Sequence, residues 1–406
     1  MSKVAHTPQL RFPEFSGDWE EKKLSDISDV RDGTHESPKY VLDGFPLITS
    51  KNLLSNGSID FENINLVSEE DYTNINKRSK VDINDILFGM IGTIGNPVIV
   101  KETGFAIKNV ALIKQQKELL NKFMIFYLSG NSIAKQFYIE NTGGTQKFLA
   151  LGVIRSLKIK FPPDTEQQKI AAFLTAVDNK IEQLSKKKAL LGEYKKGLMQ
   201  QIFSQAIRFK ADDGSEFPEW KERRLGDVCS KAKSGGTPRS TTKEYYDGDI
   251  PFLAISDITR QGKYLTSASK KISQLGIDNS ASWIVPIDTI IYSMYASVGF
   301  VSINKIPLAT SQAVINLIVK DGYSIEFIYY HLIEVKKTIH KFIETGTQGN
   351  LNAQTVKSLI LNIPSLPEQA KIANFLSSID NKIEQVGKQL DESKQFKKAL
   401  LQQMFV

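Results

Sequence analysis

The chain has 406 residues, of which 41% are hydrophobic and 24% charged, with a net charge of +7 and one cysteine, Cys229. This length holds two or three domains with cores of their own, and the composition excludes a disordered or fibrous chain. A single cysteine excludes an internal disulfide framework and suits a reducing cytoplasm, while the positive charge favours an anionic partner, most often nucleic acid.

Met1–His6 lack the apolar core of a signal peptide. Residues 1–163 read as a first globular domain of mixed strands and helices. Strand-like runs at 81–87, 98–100 and 111–113 lie between Gly, Asn, Asp and Pro punctuation. The apolar run 86–100 is broken by Gly89, Gly92, Gly95 and Asn96-Pro97, so it reads as two buried strands joined by a turn rather than a membrane span. A helix is predicted near 122–140.

Residues 164–204 read as one long helix. Asp164 or Thr165 with Glu166 to Gln168 can form a capping box at its start. Apolar residues then follow in steps of four and three at Ile170, Leu174, Val177, Ile181, Leu184, Leu191, Leu198 and Ile202. A second globular domain is expected at 205–365, with strands at 250–255 and 313–319, a broken apolar run at 289–303 and a helix at 325–344. A second long helix is expected at 366–406, capped by Ser365. Its stripe is Ile372, Leu376, Ile379, Ile383, Val386, Leu390, Leu400 and Met404. Lys188, Lys195, Ser393 and Lys397 interrupt the two stripes, which predicts looser packing there.

The two halves repeat one another about 202 residues apart. Asp178-Asn179-Lys180-Ile181-Glu182-Gln183 returns as Asp380-Asn381-Lys382-Ile383-Glu384-Gln385. Phe12-Pro13-Glu14 and Trp19 are matched to Phe217-Pro218-Glu219-Trp220, and Asp85-Ile86-Leu87 to Asp288-Thr289-Ile290. A period this long is a duplicated module, not a solenoid unit. Module ends match closely while the interiors diverge, as expected of two readers on one frame, or of drift after duplication. The expected fold is mixed α+β and α/β. Two globular domains are separated by two long helices, which chain order makes antiparallel if they pair as a coiled coil. The alternative is that each helix lies on its own domain.

Catalytic signals are weak. The four histidines, His6, His35, His331 and His340, sit in no zinc-binding spacing, and no P-loop or G-x-G-x-x-G is present. Phe161-Pro162-Pro163-Asp164 has the wrong flanks for a methyltransferase loop. Recognition chemistry remains. Polar loops supply Thr34, Lys51, Asn52, Thr93, Gly144, Thr145, Gln146 and Lys147 in the first half. The second half offers Thr237, Arg239, Ser256, Arg260, Tyr295, Thr347, Gln348 and Asn350. Backbone N–H groups, hydroxyls and amides of this kind contact phosphates and base edges. Each loop alone is equally an ordinary turn; their recurrence in both halves favours a shared role.

The chain resembles the specificity subunit of type I restriction–modification systems. The resemblance spans nearly all 406 residues and rests on motifs that are specific in combination. They are Pro8-Gln9-Leu10-Arg11-Phe12-Pro13-Glu14-Phe15, Asp85-Ile86-Leu87 to Gly95, Gly144-Thr145-Gln146, and Glu166-Gln167 to Asp178 with its return at Glu368-Gln369 to Asp380. The second half departs from the pattern at 292–299. The resemblance implies two target recognition domains, each reading one half of a bipartite sequence in double-stranded DNA. The helices would set the spacing and dock two methyltransferase subunits, and nuclease–translocase subunits would join that core. It implies no catalysis and no metal or cofactor in this chain. S-adenosylmethionine, ATP and magnesium would serve partners in a complex that methylates adenine and cleaves DNA. A coiled-coil scaffold without DNA reading and a free-standing DNA methyltransferase are the competing readings.

Overall fold

The computed structural model describes residues 7–116, 118–130, 133, 136, 148–295, 297–342 and 350–405. Two compact units emerge, Met1–Lys186 with Gly387–Val406, and Lys187–Val386. Each takes one half of both long helices, Asp164–Phe203 and Leu366–Gln403.

In the first unit one antiparallel sheet runs in the order Val30–Asp32, Val110–Ile113, Ile86–Gly89, Gly95–Ile99. Its strands alternate between two buried faces. Ile86, Phe88, Ala111 and Ile113 face helix Asn121–Leu128, while Leu87, Val110 and Leu112 join Ile48 and Ile107 in a second core. Burial on both faces explains the near-continuous apolar runs. A second sheet orders Tyr40–Val41, Asn65–Val67, Phe45–Thr49 and Ala106–Lys108, the last pair parallel. Glu20–Lys23 pairs with Lys158–Phe161 just before the long helix.

The second unit repeats the order of the first sheet. Cys229–Ser234, Val314–Val319, Ile290–Ser293 and Val301–Asn304 form one sheet, with Tyr264–Leu265 added at its edge. Lys270–Ile272, Ile250–Leu253, Leu308–Thr310 and Ile284–Val285 form the other, where the one parallel pair lies at the centre because Ile284–Val285 is added beyond it. Lys221–Arg224 pairs with Ile360–Ile363.

Several expectations change. The strand foreseen at 81–87 begins only at Ile86, because 83–84 is a turn with Asn84 at φ +69° and the buried Asp85 carboxylate accepts from Asp82 N–H. That turn also shifts the repeat by one residue. Asn84 N–H donates to Val100 and Asp288 N–H to Asn304, both at positive φ, so Asp288 answers Asn84 and not Asp85. Strand Ile250–Leu253 is followed by helix Ile255–Gln261 rather than a loop. Helix Ile325–Val335 passes into a 3-10 turn, Lys336–Phe342. Helix Asn121–Leu128 starts as foreseen, and most of 131–147 lies outside the described residues.

The capping boxes are replaced by longer reaches. Glu166 is fully buried and forms a two-pronged ion pair with Arg11, at 2.7 and 2.8 Å. Gln167 spans to Leu120 N–H and the carbonyls of Glu118 and Pro162. In the second unit Glu368 binds Arg208, and Gln369 accepts from Ser324 N–H and donates to the Pro364 carbonyl. The Ser365 hydroxyl has no partner among the described residues. Arg208-Phe209 is therefore the counterpart of Arg11-Phe12, and the matched Phe217-Pro218-Glu219 lies beyond a short insertion. Phe12 on Phe173 and Phe209 on Phe375 make the same edge contact, with centroids 5.7 and 5.5 Å apart.

Along the helices Ile170, Leu174, Leu184, Ile372, Leu376, Ile379 and Val386 are buried, while Val177, Ile181 and Ile383 are half-buried. The first turns lie on their own domain. Ile170 and Leu174 join Phe123, Leu400 and Met404 in one core, and Ile372 and Leu376 join Phe327, Met199 and Ile202 in the other. Two of the three seam lysines are ion-paired, Lys397 with Asp178 at 2.6 Å in the first unit and Lys195 with Asp380 at 2.5 Å in the second, while Lys188 is exposed.

Candidate nucleic-acid interface

In the first unit a chain of hydrogen bonds strings the polar loops along one rim. Gly33 lies so close to the strand Ala106–Lys108 that an added Cβ would sit 2.2 Å from the Ile107 oxygen. Thr34 N–H donates to Ile107 and its carbonyl accepts from Asn109 N–H. Asn109 holds φ +53°, a strained conformation outside glycine, and its carbonyl accepts from Ser50 Oγ at 2.9 Å. Ser50 Oγ in turn accepts from Met90 N–H. The Met90 carbonyl takes Leu149 N–H at 2.8 Å, and Ile91 bridges Phe148. Thr34, Lys51 and Thr93 thus lie on connected loops, with Lys51 and Thr93 exposed. Gly144, Thr145, Gln146 and Lys147 lie outside the described residues, immediately before Phe148. Asn52 does a different job from the one foreseen. It is buried, its oxygen accepts from Thr49 N–H and Oγ1, and its amide donates to Asp60 and Asn63.

The second unit builds an equivalent rim. A Cβ on Gly235 would meet the Thr310 oxygen at 1.8 Å, and Gly236 N–H donates to that same oxygen. Thr237 Oγ1 donates to Gln312 Oε1 at 2.7 Å. Met294 N–H donates to Ala313, and the Met294 carbonyl accepts from Leu351 N–H. Thr237, Tyr295 and Asn350 are brought onto neighbouring loops. Arg239 is exposed, with no side-chain partner among the described residues. Thr347 and Gln348 lie outside the described residues. Ser256 and Arg260 are on helix Ile255–Gln261, and Arg260 is the counter-ion of Asp257 at 2.7 Å. Burial opposes the Asp257 charge, but hydrogen bonds from Ser269 and Ala254 and the Arg260 charge outweigh it and hold its pKa below the usual range. Arg260 thus balances a buried carboxylate while most of its side chain stays exposed.

The sequence reading missed a cluster in the first unit. The buried Asp32 carboxylate receives Arg78 on one oxygen and His35 Nε2 on the other, the latter at 2.7 Å. His35 Nδ1 lies 2.7 Å from Asn109 Oδ1. Arg78 and Asn109 are distant from His35 in sequence, so no local motif announces the group. Gln312 was missed likewise. Among the described residues no group of three or more His, Cys, Asp or Glu could hold a metal ion, and no helix is long and apolar enough to cross a membrane.

The type I restriction modification DNA specificity domain matches the chain twice, over residues 16–192 and 218–393. A putative type I restriction enzyme MjaX specificity subunit of Methanocaldococcus jannaschii is 27% identical, over 96% of this chain and 93% of its own length. The type I restriction enzyme HindI specificity subunit of Haemophilus influenzae is 23% identical, over 90% and 95%. Among solved structures, a type I restriction–modification S subunit from M. genitalium superposes with TM-score 0.62 at 17% identity, covering 98% of this chain and 99% of that one.

Proposed function

The chain belongs to the type I restriction–modification DNA specificity family and is a DNA-recognition subunit; from that premise we propose how its parts divide the work. Each globular domain reads one half of a bipartite target in double-stranded DNA. The observation that carries this is the pair of rims: one frame, built twice, with different polar side chains on it. The domains, 1–163 and 205–365, are joined through the helices 164–204 and 366–406, which pair as an antiparallel coiled coil and fix the half-site spacing. The Asp178–Lys397 and Asp380–Lys195 pairs support that pairing, since partner numbers rise along one helix as they fall along the other.

The helices also dock two methyltransferase subunits. Asn179, Lys180, Glu182 and Gln183 are identical to Asn381, Lys382, Glu384 and Gln385, and all eight are exposed. None makes a side-chain hydrogen bond or ion pair among the described residues. Packing explains repeated buried residues. Repeated exposed ones, on a chain whose domain loops diverged, point to one partner bound twice. Nuclease–translocase subunits join this core in the cytoplasm. S-adenosylmethionine, ATP and magnesium belong to those partners, which methylate adenine and cleave DNA.

A gel-shift series with the complex of this chain and its methyltransferase subunits tests the reading. Affinity for target DNA should fall steeply and log-linearly with salt, as phosphate neutralisation requires. Affinity that is absent at low salt would defeat it and favour a scaffold without DNA contact.

A further inference from the structure

We propose that two side-chain pairs at matching places on the two rims, His35 with Asn109 and Thr237 with Gln312, are specificity-determining contacts to DNA base edges, one pair for each half-site. The inference rests on the recognition role above and names the groups that carry it.

The places correspond. Gly33 and Gly235 press in the same way on the carbonyls of Ile107 and Thr310, which end or neighbour the end of equivalent strands. Two residues after each glycine stands the first member of a pair, His35 or Thr237. The second member, Asn109 or Gln312, lies on the connection leaving that equivalent strand. In both units a side-chain hydrogen bond of 2.7 Å ties the two connections together. The backbone frame is held while the chemistry differs. An imidazole and an amide occupy one unit, and a hydroxyl and a longer amide the other. Two readers of different sequences need this arrangement, and packing does not require it, because His35, Thr237 and Gln312 are exposed.

The first pair is also held in place. Asp32, buried, fixes the His35 ring from its Nε2 side, and Arg78 completes the carboxylate. A ring held on both nitrogens in turn fixes the Asn109 amide, which then loses little freedom on binding and can discriminate rather than merely adhere. Asn and Gln amides can meet adenine N6 and N7 with two hydrogen bonds, and a threonine can serve either a donor or an acceptor. The adjacent Arg78, with a side chain 65% exposed, is placed to meet a phosphate while still balancing Asp32.

The test uses the chain with its methyltransferase subunits in a host whose methylated sites are read by sequencing. H35A/N109A should relax or change one or two positions of one half-site, with discrimination there falling about tenfold, and leave the other half-site intact. T237A/Q312A should do the same to the other half-site only. Normal sites at normal occupancy in both variants would overturn the proposal while leaving the recognition role standing. A variant with no methylation is checked for assembly and for salt-sensitive DNA binding. Retained binding with lost sequence preference supports the proposal. Lost assembly makes the pair structural and overturns it. A wild-type complex that binds no DNA would instead defeat the recognition role itself.

Discussion

At the residue scale, two buried groups give the clearest energetic predictions. His331 Nε2 accepts from Asn362 N–H, and its other nitrogen has no partner among the described residues. Burial pushes its pKa down to about 4. The folded state keeps it neutral while the unfolded chain takes a proton below about 6.5. The contribution is therefore full above that pH and lost as pH falls toward the folded value. Between pH 7 and 5 this costs about 2 kcal/mol. In the first unit the corresponding bond is made by Tyr127, whose hydroxyl accepts from Lys160 N–H and does not titrate in this range. Melting temperature measured against pH should show the loss in the wild type, and His331→Gln should flatten it. The Arg11–Glu166 pair is the second case. Arg11→Met leaves a fully buried carboxylate without its counter-ion and should cost about 3–5 kcal/mol by denaturant titration. A change under 1 kcal/mol would show that Glu166 finds another partner.

At the scale of elements, the two helix ion pairs are not equivalent. Asp178 binds Lys397. Asp380 binds Lys195 and also accepts from Tyr330 Oη at 2.6 Å, and Lys263 donates to both Tyr330 Oη and Ser377 Oγ. Lys397 lies over Phe126, which has no hydroxyl to extend the network. Asp380→Asn should therefore destabilise more than Asp178→Asn, by about 1–2 kcal/mol. Equal effects in thermal unfolding would show that the Tyr330 network adds nothing. This level was partly legible in sequence. The four-and-three spacing located both helices and their apolar stripe. It misjudged Lys195 and Lys397, because a partner about 185 or 219 residues away leaves no local trace. The one-residue slip at Asp85 has the same origin: an Asn and an Asp can both adopt the turn, and only backbone bonding shows which is equivalent. Loop residues were the least legible. Thr34 and Thr237 look alike in sequence, yet Asn52 and Arg260 are engaged in the fold and His35 is not part of any motif.

At the scale of the molecule, duplication accounts for the pattern: matched helices, one sheet matched in strand order, and rims that share a backbone frame but carry different side chains. If the helices are the ruler, four residues inserted into each, near 185–191 and 387–393, add about 6 Å along the axis. The gap between half-sites should then grow by about one or two base pairs at about 3.4 Å each, with the half-sites themselves unchanged. Retention of the original gap would move the ruler to the partner subunits. The most direct measurement is to exchange residues 1–163 for the matching domain of a relative and sequence the methylated sites in a host carrying the partners. One half of the target should change, and the other half and the gap should remain. A target that changes in both halves, or in neither, would contradict a chain built from two independent readers.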